Sequence, residues 1–156
     1  MTRPATPTSD GGETAATLVV GFDGTVESVA ALRAAADLGE RLEAHLVVVH
    51  AVDLSDYPVD PDADDYEQQA EKVVEADRGA VTEALRDYRP GWSFRALRAA
   101  PADALRKVAD ERAALMIVVG FRVTGTHVVD HLLAPAVPSE IIRRSGRPVL
   151  VVGAHA

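Results

Sequence analysis

The sequence has no cysteine, no long apolar run and no excess of basic residues, and each absence excludes a class of protein. Because none of the 156 residues is cysteine, disulfide bonds, thiolate catalysis and cysteine-ligated metal are excluded. No apolar run approaches the roughly 18 residues that a membrane-spanning helix needs. The N-terminal segment also lacks an apolar stretch, so we expect no secretory signal and a cytoplasmic protein.

The charge balance is acidic, with 24 Asp and Glu against 16 Lys and Arg and a net charge of -8. This balance argues against nucleic acid or an anionic membrane as the default partner. The length fits one domain, and the apolar content of 47% is ordinary for a globular protein. Residues 1–16 are rich in Thr, Pro, Gly and Ala and have no periodicity, so we expect a disordered tail there.

Strand-like and helical patterns alternate along the rest of the chain. The runs at 18–21, 46–49 and 115–119 are apolar almost without break, as in parallel strands buried on both faces. Residues 92–100 alternate instead, which is typical of a strand at a sheet edge. The remaining predicted elements are helices at 28–42, about 65–88, 101–113 and about 138–144, and a last strand at 148–152. This order predicts an α/β fold, a parallel sheet with helices on both faces.

Two polar loops would meet at one crevice if the strand order is 3-2-1-4-5. They are GFDGT at 21–25 and GFRVTGT at 120–126, which follow the first and fourth strands. Ligands of such sheets bind where the chain switches direction, outside the carboxyl ends of the strands. Asp23 would accept a hydrogen bond from a ribose hydroxyl or an adenine amino group, and backbone N–H groups of the second loop would bind phosphate. The pattern alone does not decide the strand order.

Three segments carry a resemblance to a known family: LVVGFDGTVESVAALRAAADLGERLEAHLVVVHAVD, RAAPADALRKVADERAALMIVVGFR and SEIIRRSGRPVLVV. They resemble the opening, the middle and the end of universal stress protein domains, over about residues 17–153. The resemblance implies five parallel strands in the order 3-2-1-4-5 and a homodimer that pairs its last strands across a two-fold axis. In members that bind nucleotide, it also implies ATP on a loop of the form Gly-x-x-Gly, nine residues, then Gly-Ser or Gly-Thr.

The glycine loop departs from this family pattern after its first glycine. Gly120 matches, but Val123 stands at the second glycine, and the Gly-Ser pair falls at Pro135 and Ala136. Pro138 replaces the serine that usually follows. A valine disfavours positive φ, and a proline has no N–H to donate to phosphate. We therefore predict impaired ATP binding and no bound cofactor.

The alternative is a shifted phosphate loop that still holds ATP. Its candidate pocket comprises Asp23, Gly120, Arg122, Thr124, Gly125, Thr126 and Ser139. In this pocket the threonines and the second glycine form the cradle, the arginine supplies charge, and the serine replaces the lost hydroxyl. The aspartate keeps the position that the resemblance assigns to the base and ribose. It is also a common turn and helix-entry residue, so a purely structural role stays open.

His127 and His131 lie four residues apart, so on a helix both imidazoles would share a face suited to a metal. HVVDH lacks the glutamate of the His-Glu-x-x-His motif, and we interpret the pair as incidental, with its role left open. No metal site is predicted.

The sequence also offers no Ser-His-Asp arrangement and no activated nucleophile. We predict a non-enzymatic, homodimeric universal stress protein with a regulatory or protective role and protein partners. The alternative is an adenine-nucleotide-binding member that acts as an ATP sensor or weak ATPase.

Overall fold

The structure, a computed structural model, describes residues 15–52, 66–123 and 137–155. Several residues named in the sequence analysis lie outside the described residues. They are residues 1–14 of the predicted tail, the threonines and glycine at 124–126, Pro135, Ala136 and the pair His127 and His131. The elements in chain order are β1 Thr17–Gly21, α1 Val26–Leu42, β2 His45–Ala51, α2 Tyr66–Ala84, β3 Trp92–Leu97, α3 Pro101–Glu111, β4 Met116–Val123, α4 Val137–Arg144 and β5 Val149–His155.

The strands form one five-stranded parallel sheet in the order β3-β2-β1-β4-β5. The predicted α/β fold class and strand order are therefore confirmed. β3 lies at one edge, where its alternating pattern placed it. β1 lies at the centre, because Leu18 pairs with Leu46 of β2 on one side and with Met116 of β4 on the other. The carboxyl ends of β1 and β4 thus meet at the predicted crevice.

Each face of the sheet carries its own apolar cluster. Leu18 and Val20 of β1 pack on the side of α1 and α2, and Val19 packs on the side of α3 and α4. All three side chains are fully buried. Burial of a side chain of this size stabilises a fold by about 1.5–3 kcal/mol, which explains why the central runs are apolar at every position. Within the described ranges, no helix is both long enough and apolar enough to span a bilayer.

Candidate functional site

The loop after β1 is held by hydrogen bonds of Asp23. Its Oδ1 accepts from the backbone N–H of Thr25 at 3.1 Å and from the Thr25 hydroxyl at 2.5 Å. Thr25 in turn caps α1, since its Oγ1 accepts from the N–H of Ser28 at 3.3 Å. The cap explains why the helix begins at Val26, two residues before the predicted start. The Asp23 side chain is exposed at the carboxyl end of β1.

A buried histidine supports the same loop from the neighbouring strand. Nδ1 of His50 lies 3.1 Å from the carbonyl oxygen of Phe22 and 2.8 Å from Oδ2 of Asp77 in α2. A carbonyl oxygen only accepts, so we assign the proton of His50 to Nδ1. The contact to Asp77 lacks hydrogen-bond geometry, which leaves Oδ2 of Asp77 without a hydrogen-bond partner among the described residues.

The carboxylate of Asp77 also lies directly against Gly24. A Cβ at Gly24 would stand 2.8 Å from Oδ1 of Asp77, and Gly24 has a φ of +78°, so this position needs glycine on both counts. Burial raises the pKa of Asp77, the neighbouring His50 opposes that rise, and the charge of Asp23 adds to it. The loop is therefore electrostatically coupled to a buried carboxylate.

Sequence reasoning missed this pair, because no local spacing links residue 50 of a strand to residue 77 of a helix. Two signals were present. His50 interrupts the apolar run of β2, and Asp77 shares a helix face with Val74 and Val81, three residues before it and four after it. Both polar side chains are buried, with exposed fractions of 4% and 8%.

The second predicted loop does not begin at Gly120. β4 continues through Val123, and residues 120–123 pair with residues 152–155 of β5. The prediction that a polar loop follows Gly120 directly is wrong, because β5 also runs three residues past its predicted end at 152. On the side of β5 these residues belong to the sheet ladder, so the glycine lies inside a strand and does not open a loop.

Gly120 is required by the packing of α1. A Cβ at this position would stand 2.2 Å from the carbonyl oxygen of Glu27 and 2.9 Å from its Cβ. Real Cβ atoms do not approach backbone this closely, so only glycine lets the first turn of α1 lie against β4. The glycine that matches the family pattern thus has a structural role.

Arg122 is bound to Glu27, a residue that sequence reasoning did not consider. Its Nε donates a hydrogen bond to Oε1 of Glu27, and the two residues are 95 positions apart. The Glu27 side chain is only 10% exposed, whereas that of Arg122 is 56% exposed. The hydrogen bond from Arg122, helped by one from the backbone, lowers the pKa of Glu27 to about 2. At neutral pH the pair is therefore ionic.

The whole described chain matches one family of proteins. The model of the universal stress protein family matches residues 15–153. The chain belongs to the universal stress protein family. The resemblance seen in the sequence is thereby confirmed. Among proteins with curated functions, no sequence matches this one.

Solved structures of other universal stress proteins share the fold. One described as a complex with cAMP is 25% identical, covers 88% of this chain and 96% of its own, and has a TM-score of 0.69. One from Burkholderia pseudomallei is 27% identical, covers 92% and 100%, and has a TM-score of 0.65. One from Archaeoglobus fulgidus in complex with dAMP is 18% identical, covers 88% and 97%, and has a TM-score of 0.59.

Three candidate pocket residues of this universal stress protein lie together at the ends of β1 and β4. The Asp23 carboxylate is close enough to Arg122 to contribute to a raised pKa of the guanidinium, after the larger effect of Glu27. Gly120 lies two residues before the arginine on the same strand. Ser139 is exposed on α4. In the part of the chain that the structure describes, no three His, Asp or Glu side chains group as metal ligands.

Proposed function

We propose that this universal stress protein is a non-enzymatic, cytoplasmic protein with a regulatory or protective role and impaired ATP binding. The observation that carries the proposal is the ion pair between Arg122 and Glu27. Arg122 is the cation that a shifted phosphate loop requires, and a buried carboxylate of the same chain already binds it. The strand conformation of residues 120–123 supports the same conclusion, because pairing with β5 holds this backbone extended.

The proposed assembly is a homodimer through β5. This strand forms one edge of the sheet, and its Val151 is 37% exposed. An edge strand offers unpaired N–H and C=O groups to another chain, and a second copy of β5 would satisfy them across a two-fold axis. We also propose that a protein partner contacts the molecule at the apolar strand β5.

A second candidate function is adenine-nucleotide binding through the shifted loop, as a sensor or weak ATPase. The observation that favours it is the intact Asp23 loop, which is held by hydrogen bonds and faces the crevice. The solved relative that is 25% identical is described as a complex with cAMP. In this candidate, Thr124, Gly125 and Thr126 hold phosphate and Ser139 supplies a hydroxyl.

The test is a search for bound nucleotide, followed by titration. Mass spectrometry would identify any small molecule that leaves the purified protein on heat denaturation, and calorimetry would measure ATP and cAMP binding to the empty protein. We expect no stoichiometric nucleotide and no heat at millimolar ATP. Stoichiometric nucleotide, or micromolar affinity that both Asp23→Ala and Gly125→Val abolish, would instead establish the second candidate.

A further inference from the structure

We propose that Glu27 is an internal competitor for phosphate: its carboxylate occupies the binding position beside Arg122 and thereby excludes polyphosphate ligands from the crevice. The inference deepens the proposed function and rests on it. In this proposal Glu27 determines the charge of the ligand that the pocket accepts. The excluded ligands are nucleotide polyphosphates, and removal of the negative charge of Glu27 on α1 should allow them to bind.

The backbone places Glu27 at the crevice. Gly120 and Arg122 are two residues apart on β4, so their side-chain positions face the same side of the sheet. The missing side chain of Gly120 makes room for the first turn of α1, and the Cβ of Glu27 lies 2.9 Å from where a Cβ of Gly120 would be. From there the Glu27 side chain reaches Arg122 at the carboxyl end of β4.

The charges at this point oppose an anion. Glu27 has its pKa lowered to about 2 and stays ionised at every physiological pH. Asp23 also acts on Arg122 from the neighbouring loop. Two carboxylates thus face one guanidinium, so a phosphate that approached Arg122 would meet a net negative site. Like charges repel, and salt should weaken this repulsion because the Arg122 side chain is 56% exposed.

Displacement of Glu27 would carry a second cost. Its side chain is 10% exposed, whereas Arg122 covers it from the solvent side at 56% exposed. If phosphate took the guanidinium, the carboxylate would stay behind in a largely buried position without its partner. The carboxylate would then lose a charge-assisted hydrogen bond, which is stronger than one between neutral groups.

The experiment compares Glu27→Gln with Asp37→Asn in the full-length protein. The Gln side chain keeps the shape and can still accept from Arg122, but it has no charge. The control also removes one negative charge from α1, at a side chain that is 73% exposed and 3.6 Å from Arg41. Calorimetry with ATP and with adenosine measures affinity. We expect Glu27→Gln to bind ATP at least about tenfold more tightly than wild type, with adenosine and the control unchanged.

A third variant assigns the gain to Arg122. In the Glu27→Gln background, Arg122→Gln should abolish the gain in ATP affinity. Circular dichroism checks that each variant is folded. Should Glu27→Gln fail to fold, the wild type still provides a test by NMR: the Arg122 Nε–H resonance should not respond to millimolar pyrophosphate, and a saturable shift would overturn the inference.

The outcomes separate the two proposals. If neither wild type nor Glu27→Gln binds ATP, the impaired site stands and the role of Glu27 is refuted. If wild type already binds ATP at micromolar affinity, the impairment is refuted, and the exclusion of polyphosphate by Glu27, which rests on it, is refuted as well. An equal gain for adenosine and ATP would show a change of pocket shape instead of charge, and would also refute the role.

Discussion

The carboxylate of Glu27 makes the stability of the fold depend on pH in the acid range. Its pKa falls from the ordinary 4.5 to about 2 in the folded protein, chiefly through the hydrogen bond from Arg122. A lowered folded pKa means that the contribution to stability is present above pH 4.5 and is lost as the pH falls towards 2. We predict that Glu27→Gln flattens the loss of stability in this window, as measured by urea unfolding at a series of pH values. An acid limb identical to that of wild type would contradict the ion pair.

Gly120 allows a second prediction for a single residue. Gly120→Ala should lower the free energy of unfolding by about 1–3 kcal/mol or more, because its Cβ would stand 2.2 Å from the Glu27 carbonyl oxygen. Gly79→Ala is the matched control, since a Cβ at Gly79 in α2 meets nothing within 4 Å. That change should stabilise the helix by about 0.5–1 kcal/mol. Urea unfolding measures the free energy of unfolding of both variants. Equal changes in this free energy would show that α1 does not pack on β4 at Gly120.

The pair of His50 and Asp77 connects whole elements: strand β2, helix α2 and the loop that carries Asp23. Asp77→Ala should destabilise the protein by about 0.5–3 kcal/mol, because it removes the side chain that packs between His50 and Gly24. It should also speed hydrogen exchange at the amides of Gly24 and Thr25. Asp77→Asn keeps an oxygen near Nδ1 and should have a smaller effect.

The control on the same helix is Glu83→Ala. Glu83 is 74% exposed and lies 3.4 Å from Arg86 in a surface pair, which contributes about 0–1 kcal/mol. Exchange at Gly24 and Thr25 should stay at the wild-type rate in this variant. If Asp77→Ala also left it unchanged, the pair would not hold the loop.

The element bounds show where local patterns stop being informative. Both strands at the second candidate loop run past their predicted ends: β4 by four residues, to 123, and β5 by three, to 155. Gly120 is a natural stop signal in the sequence, but the ladder with β5 continues through Gly120↔Val152 and beyond. Pairing between strands that are distant along the chain outweighed the local preference of glycine, as is common for β-structure.

For the whole molecule, the edge strand β5 predicts the oligomeric state. We expect a dimer at micromolar concentration, and we expect Val151→Glu to give a monomer, because a charge would be buried at the paired edge. Val151 suits the test better than Leu150, which packs against the core. Val73→Glu in α2 is the control, with an exposed fraction of 39% against 37% for Val151. Analytical ultracentrifugation decides, and a monomeric wild type would refute the dimer.

The sequence by itself determined the fold class, the strand order through its family resemblance, and the position of Asp23 at the crevice. The fold class and the position of Asp23 depend on apolar runs and turn residues that are close together in the chain, whereas the strand order came from the resemblance, and the structure confirms the sheet. The departures from the glycine pattern could likewise be read directly, and the impaired ATP binding that they suggest stays a prediction.

Only the tertiary structure decided what Gly120 and Arg122 do. The alternative of a shifted phosphate loop assigned both to a phosphate pocket, whereas in the fold the glycine makes room for α1 and the arginine binds Glu27. The pair of His50 and Asp77 became visible in the same way. The physical reason is common to all of these residues. Each one contacts a residue that is distant along the chain, and the way the helices pack on the sheet decides which residue that is.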